Sequence, residues 1–364
     1  MELKPQKKEF VKNIEEGLSN EWYISPLPRK ELKPFTRRSD WPGIKHFGGY
    51  FLLLISTGTL AYSFLGTWYL FWPAYLVFSL IFAFSEAAWH ETVHGTAFKS
   101  RWLNRTVNFI ASILGHRDIV YSTWSHAVHH SYTGIKDTDP ELQAPRPPNL
   151  FIIILNFTRI QGSFVQLWMM LQHAFGKITP LAARVVPENS WKKLIWNARM
   201  FIGIYILLIL WCFFAQSWLP IVFLFLPRFF GAWGLESVVT MQHPGLAEGV
   251  WDHRLNTRSV KVARWVQFLY FNMNYHIEHH MYPMVPFHSL ESLNEKVKDY
   301  YPKTYQGYWS VYRDLIPTLF KQVKDAKIYI HQKLPPENGW GDNKPLDPWV
   351  GHDLPNQNNE EFLK

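Results

Sequence analysis

The chain has 364 residues, of which 18% are charged and 17% aromatic, and its formal net charge is +8. A charged fraction so far below the ~25% of soluble globular domains argues against an ordinary water-soluble enzyme. The single cysteine, Cys212, excludes a disulfide framework, a cysteine zinc finger and an all-cysteine iron–sulfur site within the chain, so any metal must use nitrogen or oxygen.

Residues 1–46 hold ten of the Lys and Arg residues, and Met1 to Lys8 mixes charges of both signs without an apolar run, so this part reads as a cytosolic N-terminal segment and not a secretory signal. Residues 47–85 contain no Lys, Arg, Asp or Glu. As helix they would measure about 58 Å, twice a ~30 Å hydrocarbon core, which predicts a membrane hairpin over 47–89. Its turn is expected at Gly66-Thr67, flanked by the interfacial aromatics Tyr62, Trp68 and Tyr69, with a kink at Pro73. Residues 90–199 follow as a cytosolic region in which 150–175, interrupted by Arg159 and Gln161, lies in the interface. A second hairpin is predicted over 200–238, turning at Gln216-Ser217. Arg228 falls about midway through the bilayer, where a charge must snorkel or be buried in protein. Residues 239–334 read as a cytosolic cap and 335–364 as a tail with little core. Positive charge flanks the open ends of both hairpins and is absent from their turns, so both termini are expected in the cytoplasm of a bacterial cell or on the cytosolic face of the endoplasmic reticulum. The net charge is then topological, not a nucleic-acid footprint.

Three histidine clusters sit at the cytoplasmic ends of these blocks: His90 and His94; His126, His129 and His130; His276, His279 and His280. At 100° per helical residue, positions four apart lie 40° apart on one stripe, close enough to chelate one ion. In the two triple clusters the first and third histidines repeat that relation, and the middle one is turned to the side, so each such helix can serve two ions. His243 joins them by position, at the depth where the first hairpin presents His90. Nine imidazoles divide naturally as five and four around two nearby metals. His46, His116, His173, His253, His288, His331 and His352 lack a partner at helical spacing and read as ordinary histidines.

One HxxxH and two HxxHH boxes with membrane hairpins between them resemble the membrane fatty acid desaturase and hydroxylase superfamily over about residues 45–300, and Asp137-Thr138-Asp139-Pro140 and Asn274-Tyr275-His276 sit in similar contexts. The resemblance implies an all-α integral membrane protein, four transmembrane helices beneath a cytosolic helical cap that holds a histidine-rich di-iron site. It implies two iron ions, O2 as co-substrate, a fatty acyl or other lipid-like substrate, and electrons from an external ferredoxin or cytochrome b5 type donor with its reductase. Carried over residue by residue, one ion takes His90, His94, His126, His129 and His279, and the other His130, His243, His276 and His280. Where some members carry an asparagine four residues before the isolated histidine, this chain has Val239, and Asn272 is the candidate to replace it through water.

Nitrogen-only ligands leave the charge of two irons uncompensated, which suits O2-dependent attack on an unactivated C–H bond. Desaturation is the expected outcome, with hydroxylation or oxidative decarboxylation to a terminal alkene as alternatives from the same centre. Glu91, Asp137, Asp139 and Glu278 are candidates to hold ligand N–H groups. Arg254, Arg258, Lys261 and Arg264 are candidates to dock an acidic electron donor. His90-Glu91-Thr92-Val93-His94 also satisfies the HExxH pattern of zinc metalloproteases. A protease needs three protein ligands, however, and six further clustered histidines would go unexplained. A metal sensor or transporter lacks polar residues inside the spans to pass an ion.

Overall fold

Charge-poor stretches set the long helices of the chain, seen here in a computed structural model that describes residues 22, 23, 25, 27–142 and 144–335. The remainder of the predicted N-terminal segment and the tail beyond residue 335 lie outside the described residues. Helix α1, Asp40–Ser63, turns back through Gly66 into α2, Trp68–Ala83. Gly66 has φ +90°, a conformation that glycine adopts without a Cβ penalty. Helix α2 runs through Pro73 and, after Phe84, into α3, Ser85–Val93. Then follow α4, Arg101–Leu114, and α5, Ile119–Ser131, whose first turn is capped by the Asp118 carboxylate accepting from Tyr121 N–H.

The expected interfacial region forms two helices, α6, Leu150–Asn156, and α7, Ile160–Ala174, bent by 77° at a break where Arg159 has φ +55°. Helix α8, Trp191–Phe214, ends at the predicted turn, with Gln216 at φ +48°. Helices α9, Leu219–Leu224, and α10, Pro227–Val239, bring the chain back.

Among the described residues, three helical stretches are long and apolar enough to cross a membrane, Trp68–Val93, Glu188–Phe214 and Leu219–Val239, and the bent pair α6–α7 would make a fourth if it is one span. Helix α1, the first arm of the expected first hairpin, has 24 residues but is not among them. Gly48, Gly49, Ser56, Thr57 and Gly58 dilute its apolar run. Large apolar side chains nevertheless point outward from these helices: Leu207 is 65% exposed and Phe213 74%. Water would make such a surface costly; hydrocarbon does not.

Helix α10 lies closest to α2, and two glycines permit it. A methyl group at Gly231 would occupy the place of the Ser79 carbonyl, and one at Gly234 would overlap the Leu80 side chain. Gly231→Ala is expected to force the pair apart, lowering stability by about 1–3 kcal/mol. Thermal unfolding in detergent checks this, and an unchanged midpoint would refute the close approach.

Beyond α10 a short helix α11, His276–Met281, is held against a two-residue parallel ladder of β1, Val260–Lys261, with β2, Tyr305–Gln306, and α12, Gly307–Lys324, is the last helix among the described residues. One apolar core, from Phe47 and Phe82 through Phe271 and Phe287 to Val311, joins the first hairpin to this C-terminal part. That continuity fixes α11 over the ends of α3 and α5.

Candidate metal centre

Four segments deliver the nine histidines to one place. Helix α3 carries His90 in its last turn and is capped by His94, the second half of α5 carries His126, His129 and His130, α11 carries His276, His279 and His280, and the turn after α10 presents His243. Ring nitrogens of His90, His94, His126, His130 and His279 all lie within 4.8 Å of one another, as do those of His129, His243 and His280. His276 belongs with the second group, its Nε2 standing 3.1 Å from Nε2 of both His243 and His280. In the first group, His126 Nε2 lies 3.0 Å from His94 Nε2 and 3.1 Å from His130 Nε2.

These separations test the fit of a metal. Two nitrogens about 2.1 Å from one ion and at right angles to each other stand about 3.0 Å apart. Both ring nitrogens of His279, and Nδ1 of His90 and of His130, are buried without a hydrogen-bond partner, a cost that ligation would remove for the nitrogens facing the group. The donor set and its spacing therefore fit two ions, with five and four nitrogens.

The division differs from the expected one at a single point. His130 stands with His90, His94, His126 and His279, and His129 with His243, His276 and His280. The reason is rotational: His126 and His130 share a stripe of α5, and His129 points to the side on which His243 lies.

Remote ring nitrogens are held from behind. His129 Nδ1 lies 2.9 Å from the Asp139 carboxylate, His126 Nδ1 3.1 Å from Glu141, His243 Nδ1 3.0 Å from the Asn256 carbonyl, and His280 Nδ1 3.0 Å from the Thr133 hydroxyl. His276 Nδ1 meets the Gln242 side-chain amide at 3.2 Å. Each contact leaves Nε2 turned toward the cage. Asp139→Asn is expected to lower metal affinity of the second group about 10–100-fold, because such partners orient the ring and raise its basicity. Metal titration with chelator competition measures it, and unchanged affinity would rule out that role for Asp139.

Of the other carboxylates and the asparagine picked from the sequence, three are placed elsewhere. Asp137 is exposed in a turn at φ +62°. Glu278 is buried on the far side of α11, accepting from the Ser259 hydroxyl and from the Asn294 amide at 2.6 Å. The Asn272 amide is committed to Gln267 and to the Phe287 carbonyl, so it does not replace the asparagine missing at Val239. Glu91 stays beside His90, with 3.6 Å between its carboxylate and Nδ1. Glu141, Thr133, Gln242 and the Asn256 carbonyl were missed by the sequence reading. Glu141 stands two residues past Asp139 and Thr133 four past His129, but proximity in sequence did not single them out. His253, read as ordinary, is buried with its ring centroid 5.2 Å from that of His280 and stacked on Trp22 at 4.0 Å.

The basic residues proposed for donor docking are also redistributed. Arg254 is buried against Asp252, and Arg258 is buried, donating to the Met241 and Pro244 carbonyls. Both guanidiniums serve the fold. Lys261 and Arg264 stay on the surface, Arg264 paired with Glu291 at 2.7 Å.

Burial, followed by the neighbouring imidazoles, pushes His130, His276, His279 and His280 well below the ordinary histidine range, and burial takes His243 down to about 3. His129 is the exception: burial would lower it, but the Asp139 carboxylate carries it above the usual value. Burial would likewise raise Glu141, yet the His126 imidazole outweighs it and holds the carboxyl at about 2. Apart from His129, these imidazoles are neutral and ready for a cation near pH 7, and a metal at His129 must compete with its proton. For the depressed histidines the unfolded chain binds more protons than the folded one once pH falls below about 6.5, so stability declines as acid is added. The metal-free protein is expected to melt progressively earlier as pH falls from 7 to 5, where the unfolded imidazoles take up protons that the buried ones refuse. Melting curves across that range check this, and a midpoint that does not fall would contradict it.

Beside the cage lies a cavity of about 240 Å³ whose lining includes His90, His126, His129 and His276 together with Glu86, Arg117, Glu141 and Arg159. Arg228 meets Glu86 from outside this lining. It is buried in protein, its Nη2 2.8 Å from Glu86 and its Nε 3.0 Å from the Ser163 hydroxyl. Arg117 and Arg159 also engage Glu86, and Arg159 engages Glu236 as well.

The fatty acid desaturase family profile matches residues 22–312. The chain is 23% identical over 249 residues to a sphingolipid delta(4)-desaturase of Arabidopsis thaliana, covering 67% of each protein. It is 26% identical over 283 residues to a sphingolipid delta(4)-desaturase of Gallus gallus, covering 73% of this chain and 76% of that one. A delta(5) fatty acid desaturase of Caenorhabditis elegans is 23% identical over 251 residues, which are 60% of this chain and 55% of the relative, so the match spans little more than half of that protein.

Proposed function

The chain belongs to the fatty acid desaturase family and is an oxidoreductase, and from that premise we propose that it is an O2-dependent, di-iron desaturase of a fatty acyl or other lipid-like substrate in a membrane. One observation carries the reading: nine histidines from four segments converge into two adjoining groups whose nitrogens stand at ligand spacing. His90, His94, His126, His130 and His279 would hold one iron, and His129, His243, His276 and His280 the other. When bound, the iron pair supplies the oxidising power to take hydrogen from an unactivated C–H bond.

The chain's own residues do the rest. Asp139 and Glu141 fix imidazole tautomers. Leu235, Val239 and Met273 line the cavity beside the cage and keep water from the reacting carbon. The three apolar helices, with α1 or the bent pair as the fourth span, would anchor the protein with termini and site on the cytosolic side, as its flanking positive charge favours. Electrons would come from an external ferredoxin or cytochrome b5 type donor with its reductase.

Hydroxylation and oxidative decarboxylation begin with the same hydrogen removal and differ in what leaves next. The HExxH protease reading stays disfavoured, because three nitrogens would suffice for it and nine are gathered. The deciding experiment incubates membranes containing the protein with NAD(P)H, a reductase system, O2 and candidate acyl substrates, and analyses the products by mass spectrometry. A product two hydrogens lighter is expected. A product one oxygen heavier, a terminal alkene, or zinc-dependent peptide cleavage would each replace the proposal by the corresponding alternative.

A further inference from the structure

A row of aromatic rings leads outward from His280, and neither the ligand set nor the cavity uses it. The backbone brings the rings together. Asp252 caps a single helical turn, His253–Asn256, by accepting from Arg254 N–H, and the Asn256 amide pins that turn to the chain just past α5 by donating to the Thr133 carbonyl at 2.9 Å. Tyr23 N–H donates to the Trp251 carbonyl at 2.9 Å and so lays residues 22 and 23 alongside. His253 is buried with its ring 5.2 Å from that of His280, and Trp22 stacks on it at 4.0 Å with 8° between the planes. Trp251 follows, edge-on to Trp22 at 5.1 Å, and both indoles are partly exposed.

Packing alone does not account for His253. Its Nδ1 is buried without a hydrogen-bond partner, and it belongs to neither group of ligand nitrogens. An aliphatic side chain would fill the place without stranding a polar atom; what the imidazole adds is a π face on which an indole stacks. Indoles are among the side chains that give up an electron most readily, and electronic coupling falls steeply with the gap between groups, so rings in contact pass charge far better than separated ones. Trp89 also stands near the cage, 5.7 Å from His126, but the Arg117 guanidinium lies 4.2 Å over its ring, where it opposes a second positive charge. Trp22 is better placed to lose an electron, because its Nε1–H donates to the Ser131 carbonyl at 3.1 Å on the exposed surface, within reach of water.

We infer that the row from His280 through His253 and Trp22 to Trp251 is an exit for oxidising equivalents, which spares the cage when O2 has been activated and no lipid C–H bond is in place. The inference rests on the O2-dependent di-iron reading. One electron leaves the Trp22 indole, passes through the rings of His253 and His280 and reduces the oxidised cage by one equivalent. A second one-electron step moves the vacancy from Trp22 to Trp251. The indole that holds it releases its Nε1 proton to water, and a thiol or ascorbate in solution returns one electron and one proton.

The test uses the full chain in detergent, loaded with iron or with redox-inert zinc, and treated briefly with hydrogen peroxide without substrate or reductant. Peptide mass spectrometry then reads oxygen addition at each indole. In the iron form Trp22 and Trp251 are expected to be oxidised severalfold more than Trp218 and Trp309, which are 74% and 82% exposed and would lead if solvent access alone ruled. In the zinc form the order is expected to reverse, and the same ranking in both forms would overturn the inference. Trp22→Phe is expected to bring oxidation at Trp251 down to the zinc level at unchanged iron content, and Trp22→Tyr, which keeps an oxidisable ring, to restore it. Radicals released from the cage would mark Trp251 whatever stands at position 22, so undiminished oxidation there in the Phe variant would sink the row. A Tyr variant no better than the Phe one would reduce Trp22 to a packing residue and sink it too. Iron content, measured before peroxide is added, and the product assay test the proposed function separately: an iron-loaded desaturase without iron-dependent indole oxidation would keep that reading and lose this one.

Discussion

Replacing His279 with alanine is expected to cut the iron content from two toward one per chain and to reduce turnover by well over 100-fold. Substitutions of groups that merely orient a ligand already cost about 10–100-fold, and His279 is itself a candidate ligand. Its ring sits 4.7 Å from those of His90 and His94 and 4.9 Å from that of His130, centroid to centroid, and neither nitrogen has any other partner. His130→Ala should behave in the same way and empty the same position, whereas His129→Ala should empty the other. Elemental analysis of each purified variant, with circular dichroism to show that the helices persist, distinguishes them. Two irons per chain in the His279 variant would refute the cage, and identical iron losses at His129 and His130 would refute the division.

That division shows what the sequence could and could not convey. Spacing alone put His126 and His130 on one stripe of a helix and His129 to the side, and the same for His276, His280 and His279. The structure follows that rule in both boxes and uses it in opposite senses. The stripe of α5 serves the first group and its side residue the second, while the stripe of α11 serves the second group and its side residue the first. Assigning His129 by family likeness overrode a local angle that was right. The turns at Gly66 and Gln216 were legible because an apolar run of known length must break near its middle.

What was not legible depended on docking. Glu278 lies one position from His279, but α11 packs so that it faces Ser259 and Asn294. Asn272 stood at a plausible distance along the chain, and its turn at φ +57° aims it away. The two arginines read as surface charges, Arg254 and Arg258, are buried because nearby carbonyls and Asp252 accept their hydrogens, a pairing that no periodicity announces. How α1 compares with the other arms was likewise hidden by its lack of charge: it is helical as expected, but its glycines and hydroxyls make it less apolar than they are.

Glu86 is the second position where a large effect is expected. It lies in α3, buried at 6% exposure, and three guanidiniums from three other parts of the chain converge on it: Arg117 before α5, Arg159 at the elbow of the bent pair and Arg228 in α10. Removing one partner of a buried ion pair costs about 3–5 kcal/mol, because the remaining charge stays out of water without compensation. Glu86→Ala strands three at once, with only Glu236 left to answer Arg159, so a loss at the upper end of that range is expected, read as early thermal unfolding in detergent. Arg228→Met should cost much less. Glu86 keeps Arg117 and Arg159, and the Ser163 hydroxyl is the main group left without its donor. The asymmetry is the point of the comparison. If Glu86 is the hub that ties the elbow at Arg159 and helix α10 to the helix carrying His90, its loss must exceed that of any one arginine, and it must also loosen iron held by His90 and His94. Equal destabilisation by the two variants would mean that each charge is paired separately and that no hub couples the membrane helices to the metal cage.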